Sequence, residues 1–147
     1  MSFLANLLAE KSKSGFVAPC MYMTGFANKD FTLLPDLLDF LDAVLIDIRF
    51  APTTGKQIQW RKDYLRLFLK DRYLHVPHLG SRFSKGSGGH SIQNLSLGIK
   101  IITELKTNLL LMCECQTIEE CHRLLISQKL KEQGIETEEI KDWSCRS

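Results

Sequence analysis

Long apolar runs are missing from this chain. Nothing in it approaches the eighteen or so consecutive apolar residues that a membrane-crossing helix needs, so no span is expected. The opening MSFLANLLAEKSKSG has no basic stretch ahead of its short apolar run, which argues against a secretory leader and for an amphipathic helix over about 2–12. No G-x-G-x-x-G follows the first candidate strand. A Walker A loop is absent too: Gly80 stands five residues before Lys85, but the Gly-Lys order is reversed. A C-x5-R phosphatase loop is excluded because Thr117 stands where its cysteine would be. Five cysteines form no disulfide framework, so reduced thiols in a cytoplasmic setting are expected.

What is present suits one α/β domain. At 147 residues the chain can bury a single proper core. Candidate strands fall at 17–25 (VAPCMYMTG), 43–48 (AVLIDI), 73–76 (YLHV) and 108–113 (NLLLMC), with a weak fifth within 135–140. Helical spacing occupies 31–41, 60–72 and 92–105. A T-x-x-E capping box at Thr117 and Glu120 opens a helix that should end before Gly134. The tail from about 141 to 147 is unassigned. Regular alternation implies a three-layer Rossmann-like sandwich with a mostly parallel sheet of about five strands. Ligands in such sheets bind beyond the C-terminal strand ends. That rule selects a rim made of 24–28, 47–54, 77–91 and 113–123.

Net charge is only +2, but from Lys56 to Lys85 eight basic residues face two acidic ones. From Cys113 to Asp142 the balance reverses, with eight acidic and four basic residues. A local anion site fits this distribution better than a wide nucleic-acid surface. Trp60, Tyr64 and Phe68 interleave with Arg61, Lys62, Arg66 and Lys70, yet at helical period the aromatics should face the core.

On the rim, Asp47 and Arg49 share one face of a strand end. They form either a mutual salt bridge or a bidentate grip on a carboxylate or phosphate, oriented by Asp47. The 80–91 loop, with Arg82, Lys85, His90 and four glycines, is either solvated or an anion cradle. His75 reads as structural, and His78, just past Pro77, is the rim candidate. Three cysteines crowd into 113–121, and Cys113 with Cys121 should meet across a tight turn. No metal is expected here: C-x-C is unusual for zinc, and Cys121 and His122 would diverge by about 100° on a helix. Arg123 is the candidate anion contact, or else the partner of a nearby glutamate.

Four blocks carry a resemblance. They are Tyr22-Met-Thr-Gly-Phe-Ala-Asn28, Asp47-Ile-Arg-Phe-Ala-Pro-Thr-Thr54, Tyr73-Leu-His-Val-Pro-His-Leu-Gly-Ser81, and Cys113-Glu-Cys115 with Cys121-His-Arg123. In this order the chain resembles the domain of unknown function 488 family, whose pattern includes D-V-R-x-x-P-x-S and C-x-E-x5-C-H-R. The resemblance implies a Rossmann-like domain with these motifs converging at the strand ends, and no settled activity. Phe26, Ala27 and Cys115 stand where that family carries His, Ser and Glu, so anchoring groups persist while candidate acid/base groups are lost.

The leading expectation is therefore a small anionic, perhaps nucleotide-like, ligand, with no cofactor. Arg49 and Arg123 would anchor it, with Tyr22, Gly25, Asn28, Asp47, His78, Arg82 and His122 around it. Were catalysis involved, Cys113 or Cys121 would be nucleophile and His78 or His122 the base. The alternatives are thiol redox or thiol transfer by Cys113 with Cys121, and a nucleic-acid accessory role.

Overall fold

A computed structural model describes residues 19–53, 57–81, 92–115 and 121–144. Its strands are β1 (Met21–Gly25), β2 (Ala43–Asp47), β3 (Tyr73–His75), β4 (Asn108–Cys113) and β5 (Thr137–Glu139). The helices are α1 (Leu34–Leu41), α2 (Lys62–Leu69), α3 (Leu95–Thr103) and α4 (Arg123–Glu132). The five strands form one parallel sheet in the order β3-β2-β4-β1-β5.

Two core clusters show how the layers divide. One joins Leu34, Leu37, Leu38, Leu41, Leu65 and Leu69 of α1 and α2 to Tyr22, Leu45, Leu110 and Met112 of the strands. The other joins Ile99, Ile102, Ile126 and Leu130 of α3 and α4 to Met21, Met23, Ile46, Leu109 and Leu111. Alternating residues of the same strands thus face opposite helix layers, which is why NLLLMC reads as a continuous apolar run. Burying each leucine side chain in these layers contributes about 1.5–3 kcal/mol.

Local chemistry sets the element ends. Pro35 lies in the first turn of α1, where its missing N–H is not needed, and Asp42 closes the helix in the left-handed conformation. Asn108 pins the start of β4. Its Nδ2 donates to the Leu41 carbonyl at 3.1 Å, and its Oδ1 accepts from the Cys20 amide at 2.8 Å.

The aromatic stripe is a correction to the sequence reading. Trp60 is buried, but Tyr64 and Phe68 are 41% and 47% exposed. Trp60 belongs to a separate 3-10 turn, Ile58–Trp60, so it does not set the phase of α2. The residues of α2 that point inward are Leu65 and Leu69. Tyr64 and Phe68 instead pack edge-on or tilted against Phe31.

The chain beyond β5 is tied to the core. Trp143 is buried and donates its Nε1–H to Thr24 Oγ1 at 2.8 Å, and Thr24 in turn donates to the Ile140 carbonyl at 2.7 Å. The helix expected over 2–12, the 82–91 loop and the capping pair Thr117 and Glu120 lie outside the described residues. Among the described residues no helix is long and apolar enough to cross a membrane.

Candidate functional site

Topology singles out the C-terminal end of β4. The chain leaves β1 and β2 toward the layer of α1 and α2, and leaves β3 and β4 toward the layer of α3 and α4. Strand β4 lies between β2 and β1, so it departs to the opposite side from both neighbours. Such a switch point opens a crevice at the strand ends. Cys113, the last residue of β4, stands there in register with Gly25.

Glu114 is exposed at a bend and Cys115 beyond it is half-buried. Gly25 makes room for Cys115. A Cβ on Gly25 would lie 1.5 Å from the Cys115 carbonyl oxygen and 2.7 Å from its carbon. The glycine is required by close backbone approach, and the space above it belongs to residue 115.

Cys121 and His122 come just before α4, outside its regular turns. The divergence expected of them does not keep their donor atoms apart. The Cys121 Sγ is 2.8 Å from the Cys113 Sγ and 3.5 Å from the His122 Nδ1. The other ring nitrogen, Nε2, is 3.0 Å from the Ile48 carbonyl oxygen. A carbonyl can only accept, so Nε2 of the neutral ring carries the proton and Nδ1 presents its lone pair toward the sulfurs. Cys113, Cys121 and His122 are all buried, and one ligand atom of each lies within 4.8 Å of the others.

Arg123 completes this cluster. It is fully buried, pairs through Nη1 with Glu139 of β5, and donates from Nη2 to the Cys115 carbonyl at 3.1 Å. Its Nε has no hydrogen-bond partner among the described residues. Hydrogen bonds from the Cys113 and Cys121 thiols hold the Cys115 thiol far below its ordinary value against the opposing effect of burial. The positive charge of Arg123 adds to that lowering. Burial pushes the Cys113 thiol well up, assisted by its hydrogen bonds to Cys115 and Cys121.

A second cluster sits at the end of β2. Arg49 forks onto Asp47, Nε to Oδ1 at 2.8 Å and Nη2 to Oδ2 at 2.7 Å, and Nη2 also reaches the Trp60 carbonyl. Asp47 is fully buried and accepts from the Tyr73 hydroxyl at 2.6 Å. The Arg49 guanidinium lies over the Phe26 ring, which stacks on Trp60 with centroids 4.3 Å apart. His75 bonds the Arg49 carbonyl through Nε2 at 2.7 Å. The Arg49 fork is therefore satisfied within the protein.

Of the residues expected on the rim, the fold brings Cys113, Cys121, His122, Arg123 and Gly25 together. Asp47 and Arg49 form the neighbouring cluster, linked to the first through residue 48. Tyr22 is buried in the layer under α1, and Asn28 is exposed at a positive-φ turn. His78 sits in the 3-10 turn Pro77–Leu79 against Gly98 of α3, with its Nδ1 buried and lacking a partner among the described residues. Arg82 lies outside the described residues. Three participants are not among the residues the sequence suggests. Cys115 reads from the sequence only as a substitution, Glu139 is the partner of Arg123, and Tyr73 holds Asp47. For Tyr73 the signal was available, since it shares a strand face with His75, the residue in register with Asp47.

Compared with family models, curated proteins and solved structures, the chain gives no match to any of them.

Proposed function

We propose that this chain, as a divergent relative of the domain of unknown function 488 family, is a thiol-exchange protein acting on low-molecular-weight disulfides. The observation that carries the reading is the contact of Cys113 and Cys121 sulfurs at 2.8 Å with the half-buried Cys115 beside them. An attacking thiol needs access and thiolate character, and a resolving thiol needs proximity. Cys115 supplies the first pair of properties, Cys113 and Cys121 the second.

In the proposed sequence the Cys115 thiolate attacks one sulfur of the disulfide R–S–S–R. That bond breaks, Cys115 becomes a mixed disulfide, and RS⁻ departs. Cys121 then attacks the Cys115 sulfur, giving up its proton and releasing the second RS⁻. Exchange with Cys113 frees Cys115 and leaves the bond between 113 and 121. Overall two protein thiols are oxidised, one external disulfide is reduced to two thiols, and two electrons and two protons are transferred. The buried Arg123 charge stabilises the anion at each stage.

The anionic-ligand reading has less to stand on, because each arginine is already engaged by a carboxylate of the chain. To use either one, a ligand would have to displace that partner. The test is incubation of the folded, reduced chain with oxidised glutathione, followed by mass spectrometry. A loss of two hydrogens mapped to Cys113 and Cys121, and a trapped glutathione adduct on Cys115 in Cys121→Ser, are expected. Thiols that all stay reduced across cellular glutathione ratios would refute the reading.

A further inference from the structure

We infer that, when reduced, the same cluster binds one tetrahedral thiophilic cation, zinc in the first instance, through Cys113, Cys115, Cys121 and the Nδ1 of His122. The inference rests on the thiol reading only in needing these sulfurs reduced and convergent. It does not need them to exchange.

Donor chemistry and geometry both point this way. Cys113, Cys121 and His122 bring one donor atom each within 4.8 Å of one another, and with Cys115 as the fourth donor they form the Cys3His set of structural zinc sites. The two ligand segments are short, but each turns at the right place. Glu114 bends the chain between Cys113 and Cys115, and Cys121 with His122 precedes the regular turns of α4. In a tetrahedron with zinc–sulfur bonds of about 2.3 Å, neighbouring donors stand about 3.8 Å apart for two sulfurs and slightly less for sulfur and nitrogen. The 3.5 Å from Cys121 Sγ to His122 Nδ1 already fits. Cys113 and Cys121, at 2.8 Å, would open by about 1 Å.

A second, independent feature is the imidazole's orientation. Metal-bound histidines almost always donate their other N–H to a carboxylate or carbonyl, which fixes tautomer and ring plane. His122 does this toward Ile48 at 3.0 Å, leaving Nδ1 as the donor toward the sulfurs. A third is charge. Three thiolates around a divalent cation leave one negative charge, and the buried Arg123 lies against it with an Nε–H that has no partner among the described residues. A metal-bound sulfur would accept that hydrogen bond.

The test uses the full chain, reduced and kept anaerobic, titrated with Co²⁺ as the spectroscopic stand-in for zinc. Expected are sulfur-to-cobalt charge-transfer bands and strong tetrahedral ligand-field bands saturating at one cation per chain, then bleached by Zn²⁺. Because Cys113 is buried in the core, the primary variants are Cys115→Ser and His122→Gln. Each should weaken zinc binding by at least about tenfold, since losing even an outer-shell partner of a ligand does so. Absence of these bands in protein whose thiols all titrate as reduced would overturn the proposal, as would bands unchanged in both variants. Oxidised glutathione applied to the same preparations separates the two readings. Disulfide formation without cobalt bands removes the cation site alone, and cobalt bands without disulfide formation remove thiol exchange alone.

Discussion

Replacing Gly25 by alanine tests how the site is held together. The added Cβ would meet the Cys115 carbonyl oxygen at 1.5 Å, whereas ordinary contact begins near 3.4 Å. The obstacle is backbone, so no rotamer change relieves it, and the segment after β4 must lift by about 2 Å. Two terms oppose each other. Alanine restricts the unfolded chain and would favour folding by about 0.4–1 kcal/mol. Overpacking of this kind costs about 1–3 kcal/mol, and lifting the carbonyl also removes its hydrogen bond from the buried Arg123, at 3.1 Å, worth about 1.5–3 kcal/mol. The steric and polar losses win by several kcal/mol.

At this chain length that corresponds to a fall in Tm on the order of 10 °C. Far-ultraviolet circular dichroism on heating would read it, and iodoacetamide labelling with peptide mapping would show Cys115 reacting faster as its loop lifts. Gly134→Ala is the control. Its Cβ would meet nothing within 4 Å, but the residue has φ +80°, so a loss of about 1–2 kcal/mol from backbone strain alone is expected, with Cys115 unchanged. A Gly25→Ala protein with wild-type Tm and wild-type Cys115 labelling would refute the account of the loop.

Other perturbations probe the neighbouring groups. Tyr73→Phe removes the hydroxyl bonded to the buried Asp47, and a loss of about 1.5–3 kcal/mol is expected in urea unfolding; an unchanged midpoint would show that water replaces the bond. Glu139→Gln leaves the fully buried Arg123 without its anion and should cost about 3 kcal/mol. In limited alkylation of the native chain, half-buried Cys115 should label before Cys20, Cys113 and Cys121, all buried, and labelling of those three should track unfolding. Burial lowers the pKa of His75 from 6.5, against the raising effect of its bond to the Arg49 carbonyl. Below that unfolded value the unfolded state binds the extra proton first, so stability is full above about pH 6.5 and declines as pH falls toward the depressed folded value. His75→Gln should flatten this part of the urea-midpoint profile.

Fold class was legible because both clues to it are local. Alternating period-2 and period-3.6 patterns give the order of elements, and a run such as NLLLMC, apolar on both faces, requires helices on both sides. The phase of α2 was misread because Trp60 was counted into a helix that starts at Lys62. At the site, Cys113 and Cys121 could be brought together from the expected turn alone. The role of Gly25 could not, since what fills the space above it is a carbonyl almost a hundred residues away. Likewise the expected divergence of Cys121 and His122 placed both inside a helix whose regular turns begin only at Arg123.

Burial decides which clue to function carries weight. An arginine near a strand end suggests an anion site only while its fork is open to solvent. Arg123 is fully buried against Glu139, and Arg49 is bidentate on an aspartate that Tyr73 also holds. Removing one partner of a buried ion pair is among the larger single losses a fold can suffer. A ligand recruiting either guanidinium would bear that loss before gaining anything. The thiols present the opposite case. Sulfur hydrogen bonds are weak, and a movement of about 1 Å separates the 2.8 Å pair from either a disulfide or a metal-bound state. Its neighbour Arg123 already offers the positive charge that an attacking or a metal-bound thiolate requires. On the proposed reading the chemistry of this rim belongs to the sulfurs, and the arginines serve them by holding the loop and the charge in place.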